Sequence, residues 1–297
     1  MRERAEWRTL ALVAGCYGLW FALVFLPVGL PIWCRVVLVV PLLTLHSSLQ
    51  HECMHGHPFR RQRLNDTLMG LPIGVLVPYS RFKATHLKHH LNESIADPYD
   101  DPESWYLDRP DWQRKSRFVK RLFLANNTLL GRMTLGPAIG YFGFLRSEQQ
   151  RARRGEARIH ADWATHAAAV ILLLVVIDGY ARIPLAAYLA ACYAGMGLLM
   201  VRSFLEHQAH ERAGSRSVII EDRGALALLF LNNNLHSVHH AYPSLAWYRL
   251  PAFFRENRDR FLKMNGGYRY DSYGAIFRRF AFRRKEPVEY PLDRRTR

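Results

Sequence analysis

The sequence predicts an all-α integral membrane protein: four transmembrane helices in two hairpins, with a cytoplasmic helical cap that gathers a histidine-rich site for two metals. Three observations predict it. Apolar residues are segregated into a few long runs, although the mean hydropathy of −0.13 is that of a soluble chain. Arginine and lysine crowd the segments between those runs, giving 41 basic against 25 acidic residues and a formal charge of +16 over 297 residues. Histidines recur three times at helical spacing, in "HECMH", "HLKHH" and "HSVHH".

No charged residue falls between Thr9 and Trp33, and about 20 apolar residues of helix cross a bilayer core. Pro27 and Pro31 divide this stretch, so the first span ends near Leu26. The basic start "MRER" also suits a signal peptide, but the run is long for one and no A-x-A-like cleavage site follows it. A second span covers about 36–45 and continues into "HSSLQHECMH", growing polar as it goes. A third covers 163–177 and a fourth 184–201. The turns inside the two hairpins hold Arg35 and Arg182 as their only basic residues, whereas the flanking segments are rich in them. The positive-inside rule then places both termini and the long middle segment in the cytoplasm. The resulting organisation is 1–56, first hairpin and first histidine box; 57–160, a cytoplasmic or interfacial segment with the second box; 161–206, second hairpin; 207–297, cap with the third box.

Two further apolar stretches, 68–79 and 129–145, are interrupted by proline and glycine and read as interfacial or re-entrant, with a six-span arrangement as the alternative. Cys16, Cys34, Cys53 and Cys192 are scattered without C-x-x-C spacing and read as free thiols. The positive charge flanks apolar runs and no nucleic-acid module is present, so lipid rather than nucleic acid is the expected partner. The basic tail, "RRKEP" and "DRRTR", is expected in solvent or on headgroups.

Positions i, i+3 and i+4 of a helix share a face. His51 with His55, then His86, His89 and His90, then His236, His239 and His240 each form one stripe of imidazoles. Neutral imidazole is the commonest metal ligand, and nitrogen donors suit iron, copper, zinc or nickel rather than magnesium or calcium. His51 lies six residues past Leu45 and His207 six past Val201. Six residues of helix rise about 9 Å, which would bring both out of the membrane at one height. Nine ligands are too many for one ion and suit two. His46, His57, His160, His166 and His210 are left outside. Glu206, Glu93, Asp97 and Glu52 either orient ligand imidazoles or are ordinary solvated acids. Trp247 and Tyr248 read as interface anchors, or as lining of a substrate tunnel.

These residues resemble the integral-membrane fatty acid desaturase family, whose signature is H-x-x-x-H, then H-x-x-H-H, then a distant H-x-x-H-H. The resemblance spans roughly residues 30–255 and extends to "DPYDDPE" after the second box and "PSLAWYRLP" after the third, as in bacterial acyl-lipid desaturases. It implies two irons held by the nine histidines, with His207 as the ligand outside the boxes and no catalytic group beyond the ligands. It also implies dioxygen as co-substrate, desaturation of a fatty acyl lipid, and a bacterial inner membrane. Ser203 stands where the acyl-CoA branch of the family has an asparagine, which favours a lipid or free-chain substrate. With no nucleotide or haem motif in the chain, electrons are expected from an external donor such as an acidic ferredoxin docking on the basic face. Two other readings compete. One is a hydroxylase or ketolase of the same architecture, acting on a carotenoid, alkane or other lipid. The other is a metal transporter or sensor, which would want ligands at mid-membrane, where only His166 and Asp178 are available near span ends.

Overall fold

The computed structural model describes residues 5–91 and 94–292. In chain order the helices are α1 (Trp7–Phe25), α2 (Ile32–Met54), α3 (Gln62–Leu68), α4 (Tyr79–His90), α5 (Arg109–Arg114), α6 (Arg117–Asn126) and α7 (Leu129–Arg153). They continue with α8 (Ile159–Tyr180), α9 (Leu185–Ser203), α10 (Ala225–Leu229), α11 (His236–Ala241), α12 (Leu250–Glu256), α13 (Arg258–Met264) and α14 (Tyr273–Phe280). Two short parallel strands, β1 (Ile219–Ile220) and β2 (Arg269–Tyr270), pair beside them. The chain forms two compact units, Met1–Ala84 with Pro137–Leu199, and Thr85–Gly136 with Met200–Arg297.

In the first unit α1, α2, α8 and α9 are long and apolar enough to cross a bilayer, and they coincide with the four expected spans. Ile171, Leu172 and Val175 on α8 are mostly exposed, which is stable only if lipid covers them. Arg35, in the first turn of α2, explains its own presence beside the first two spans. It is buried and donates from Nη1 to the carbonyls of Leu23 and Leu26 and from Nε to that of Leu30, serving the orphan carbonyls at the end of α1. Gly195 lets α9 lie against α2, because a Cβ there would stand 3.0 Å from Leu43 Cβ and 3.2 Å from the Val40 carbonyl. Thr44 Oγ1 donates to the Gly195 carbonyl across the same contact, at 2.9 Å.

The stretch 69–78 is not helical, and Met69 and Ile73 within it are fully buried. Irregular backbone survives among membrane helices only when its polar groups find partners. Here three spans supply one each, and the fourth serves the carbonyl of Leu68, the last residue of α3, just before it. Tyr17 of α1 donates to the Leu68 carbonyl, Gln50 of α2 to Met69, Tyr188 of α9 to Ile73, and His166 Nε2 of α8 to Val75. The other ambiguous stretch, 129–145, is part of the continuous 25-residue α7. It carries Arg132, Arg146 and Glu148 and is not among the four apolar helices.

Candidate metal centre

Each histidine box is helical, as its spacing requires. His51 sits in the last turn of α2 and His55 caps its C-terminus, their ring centroids 5.0 Å apart in the first unit. In the second unit α4 carries His86, His89 and His90 at its end, and α11 carries His236, His239 and His240. The "NNN" run before the third box is its scaffold. Leu231 and Asn232 take positive φ values, a conformation asparagine tolerates better than most residues. Asn232 donates to the Trp247 carbonyl, Asn233 to Glu206, and Asn234 to the Ile220 carbonyl.

His207 departs from expectation. α9 stops at Ser203 rather than carrying a helix six residues past Val201. Phe204 and Leu205 turn inward and are buried, and His207 pairs with Ser217 in an isolated antiparallel bridge. The Val218 amide donates to the Glu206 carbonyl and that of Gln208 to the Arg216 carbonyl. The imidazole still reaches the other histidines, by a strand-like route.

Two groups result in the second unit. His89, His207, His236 and His240 each bring one nitrogen within 4.8 Å of the others, and so do His86, His90 and His239. The closest approaches are Nε2 to Nε2: 3.0 Å for His89–His207, 3.0 Å for His207–His236, 3.1 Å for His236–His240 and 3.1 Å for His90–His239. The groups adjoin, for the rings of His90 and His240 stack at 4.3 Å. Neighbouring imidazoles cannot satisfy one another fully, since each pair shares one proton at most. A metal about 2.0–2.1 Å from each nitrogen would set them about 3 Å apart, which is the spacing found.

The outward nitrogens fix the tautomers. His89 Nδ1 lies 2.7 Å from Asp101 Oδ1, His86 Nδ1 2.9 Å from Glu103, His236 Nδ1 3.2 Å from Asn233 Oδ1 and His207 Nδ1 3.3 Å from Ser217 Oγ. For His89, His86 and His236 a carboxylate or amide oxygen holds the proton on Nδ1 and turns the Nε2 lone pair inward, as metal-ligating histidines require, whereas the Ser217 hydroxyl orients His207 and can donate or accept. Burial, reinforced by the neighbouring imidazoles, holds His207, His236 and His240 well below the ordinary imidazole range, so they are neutral. Burial also disfavours the charged form of His89, but the Glu103 and Asp101 carboxylates outweigh it and push that ring up to about 9. A metal at this ring displaces its proton.

Of the four acids read from the sequence, Glu206 is in place: it is buried, pairs with Arg202 at 2.9 Å and lies 3.7 Å from His236 Nδ1. Asp97 instead accepts the Tyr99 amide. Glu52 stands 3.9 Å from His57 Nε2, whose Nδ1 lies 3.0 Å from Glu6; these three form a further potential ligand group in the first unit. Glu93 lies outside the described residues, as do the "MRER" and "DRRTR" ends. Asp101 and Glu103 are the partners that sequence reasoning missed, although both lie in the quoted "DPYDDPE". The remaining excluded histidines are engaged elsewhere or exposed. His46 meets Tyr17 at 3.1 Å, His166 the Val75 carbonyl, and His210 accepts the Arg212 amide, while His160 is exposed. All four cysteines are free thiols, and Trp247 and Tyr248 are half-buried against each other.

The profile of a family described as Fatty acid desaturase matches residues 30–272. A protein of Bacillus subtilis (strain 168) named Fatty acid desaturase is 26% identical over 253 residues, covering 79% of this chain and 71% of that one.

Proposed function

Because this chain belongs to the fatty acid desaturase family, we propose that it inserts a double bond into the acyl chain of a lipid at a two-iron centre, using dioxygen. The observation that carries the reading is the pair of adjoining imidazole groups with Nε2 atoms inward and Nδ1 atoms tied outward. Four histidines form one group and three the other, so we assign His51 and His55 to the shorter set as the family signature implies. All nine, His51, His55, His86, His89, His90, His207, His236, His239 and His240, then serve as ligands. An all-nitrogen, buried to half-buried donor set suits a transition ion, iron among them.

Bound iron would supply the reduction of dioxygen that makes an unactivated methylene reactive. The balance is one acyl –CH2–CH2– plus dioxygen, two electrons and two protons, giving –CH=CH– and two waters. The chain's own residues do the rest. Asp101 and Glu103 hold protons on His89 and His86 Nδ1, Asn233 and Ser217 orient His236 and His207, and burial keeps bulk water from the imidazoles. The apolar spans favour a substrate taken from the membrane, which in a bacterial cell is the inner membrane. The basic segments favour a cytoplasmic site and cytoplasmic termini. In the segment scheme, 1–56 and 161–206 anchor while 57–160 and 207–297 carry the remaining boxes.

Lipid mass spectrometry of cells with and without the protein tests the reading. Desaturation removes two hydrogens from a product chain; the hydroxylase alternative adds one oxygen; no change in any acyl chain refutes both. The +16 charge supports an acidic ferredoxin-like donor, so the electron-transfer rate should fall as ionic strength rises, and a salt-independent rate excludes that docking mode.

A further inference from the structure

A narrow cleft in the second unit is lined by Trp105, Tyr106, Asn126, Arg132, Lys285 and Glu286, among others, and has a cavity volume of about 10 Å³, room for one water-sized group. Arg132 is its unusual member. Its residue is 2% exposed; its Cζ stands over the Trp105 ring, 3.7 Å from the centroid; its Nε donates to the Asn126 carbonyl at 3.1 Å. Its Nη1 is buried with no hydrogen-bond acceptor. A buried cation left this way is costly; the Glu286 carboxylate favours its charge but does not outweigh the burial, and no carboxylate accepts from Nη1. Glu286 is already taken up, accepting from the Tyr106 hydroxyl and from Lys285 Nζ. Lys285, itself mostly buried, adds a second cation. Two cations face one acid, and the balance calls for an anion.

The backbone agrees. Arg132 sits in the first turn of α7, where Thr128 Oγ1 accepts the Gly131 amide, and the 25-residue helix presents its positive end toward Asn126. A cation gains nothing from that dipole, whereas an anion beside the cation does. The close approach is built on Gly131, where a Cβ would fall 1.9 Å from the Ala125 carbonyl oxygen. The cleft also abuts the four-histidine group, since Lys285 Nζ donates to the His207 carbonyl at 3.2 Å. Its ammonium retains a third proton for a ligand.

We propose that this cleft is an oxyanion subsite, in which Arg132 Nη1 and Lys285 Nζ take a carboxylate or phosphate oxygen. The group is supplied either by the head of the acyl substrate or as a free ion. The substrate alternative rests on the desaturase reading; the binding itself does not. The narrow space, about 10 Å³, takes a single oxygen of the anion and leaves the rest of its group at the open mouth.

The test uses the full-length, iron-loaded protein in nanodiscs of zwitterionic lipid. Acetate or inorganic phosphate, against chloride at constant ionic strength, should raise Tm saturably in the wild type and leave Arg132→Met unmoved. Arg132→Lys, which keeps the charge but loses the planar fork, should need about tenfold more anion. Turnover of a free fatty acid is then compared with that of its methyl ester. If the head occupies the cleft, the wild-type KM is about tenfold lower for the acid, and Arg132→Met removes the preference with kcat within about twofold. A Tm response without a head preference assigns the cleft to a free ion. Should the protein turn over no acyl chain, the desaturase reading fails while the Arg132-dependent Tm shift still reports on the cleft. The proposal is overturned if wild type and both Arg132 variants respond alike to acetate and phosphate, or if none responds.

Discussion

Replacing Asp101 with asparagine is the sharpest perturbation of the metal centre that leaves every ligand in place. The carboxylate is buried and fully used. Oδ1 faces His89 Nδ1 at 2.7 Å and accepts the Glu103 amide at 2.9 Å, and Oδ2 accepts the Ala96 amide at 2.7 Å. Every group facing it presents a proton. An asparagine has only one accepting oxygen, so its NH2 must face either Ala96 or the His89–Glu103 side. In the first case a donor meets a donor in the turn where Ala96 holds a φ of 71°. In the second, the imidazole must accept at Nδ1 and carry its proton on Nε2, the atom 3.0 Å from His207 Nε2. Either route leaves a buried polar group mismatched, at about 1–3 kcal/mol. Converted at about 1.4 kcal/mol per decade, iron affinity should fall roughly 10- to 100-fold, the usual effect of losing an outer partner of a ligand histidine. Competition titration of the purified protein against a calibrated Fe(II) chelator measures it, with His160→Ala, at an exposed position, as the control. An unchanged affinity in Asp101→Asn would refute the claim that the outward hydrogen bonds set the tautomers.

Other expectations are simpler. His239→Ala should lose most iron from its group and abolish turnover while insertion persists, since α11 lies outside the spans; His160→Ala, at an exposed position, should match the wild type in iron content and rate. Tyr188→Phe deletes a hydroxyl that donates to the Ile73 carbonyl at 2.6 Å and accepts from Trp20 Nε1 at 3.1 Å. It should cost about 1–3 kcal/mol, read as a lower Tm, and an unchanged Tm would mean that water or lipid replaces both bonds. Burial would raise the Asp66 carboxyl, but hydrogen bonds from Lys83, Gln62 and Tyr79 lower it below its ordinary value. Its contribution to stability is therefore present above the unfolded carboxylate value and lost as pH falls through the folded one. Asp66→Asn should lower Tm at neutral pH, with the difference closing in acid; a difference independent of pH would show that the charge is idle.

The parts of the molecule that were legible in the sequence obey short-range rules. Charge-free runs marked the four spans within a few residues, because crossing a bilayer demands continuous apolar helix. The three boxes declared their shared faces through helical spacing alone. His207 was singled out by its spacing past Val201 along a helix that does not exist, because burial of Phe204 and Leu205 overrides continuation of α9. Asp101 and Glu103 escaped assignment for a different reason. Which acid of "DPYDDPE" reaches an imidazole depends on the positive-φ turn at Ala96, and an alanine does not announce such a turn. Arg132 was equally hidden. In sequence it is one base among forty-one, and its burial depends on Gly131 admitting the Ala125 carbonyl.

The irregular stretch after α3, together with the Leu68 carbonyl that leads into it, takes hydrogen bonds from all four apolar helices, and two of those helices lie more than eighty residues downstream. During synthesis it therefore emerges long before half of its partners exist. Until His166 and Tyr188 arrive, the Val75 and Ile73 carbonyls must be served by water or by the insertion machinery, so this strip cannot settle among apolar helices at first. Biogenesis is thus ordered from the back. The second hairpin closes the first, and a nascent chain cut before α8 should be cleared by proteases even though its own two helices are apolar enough to insert.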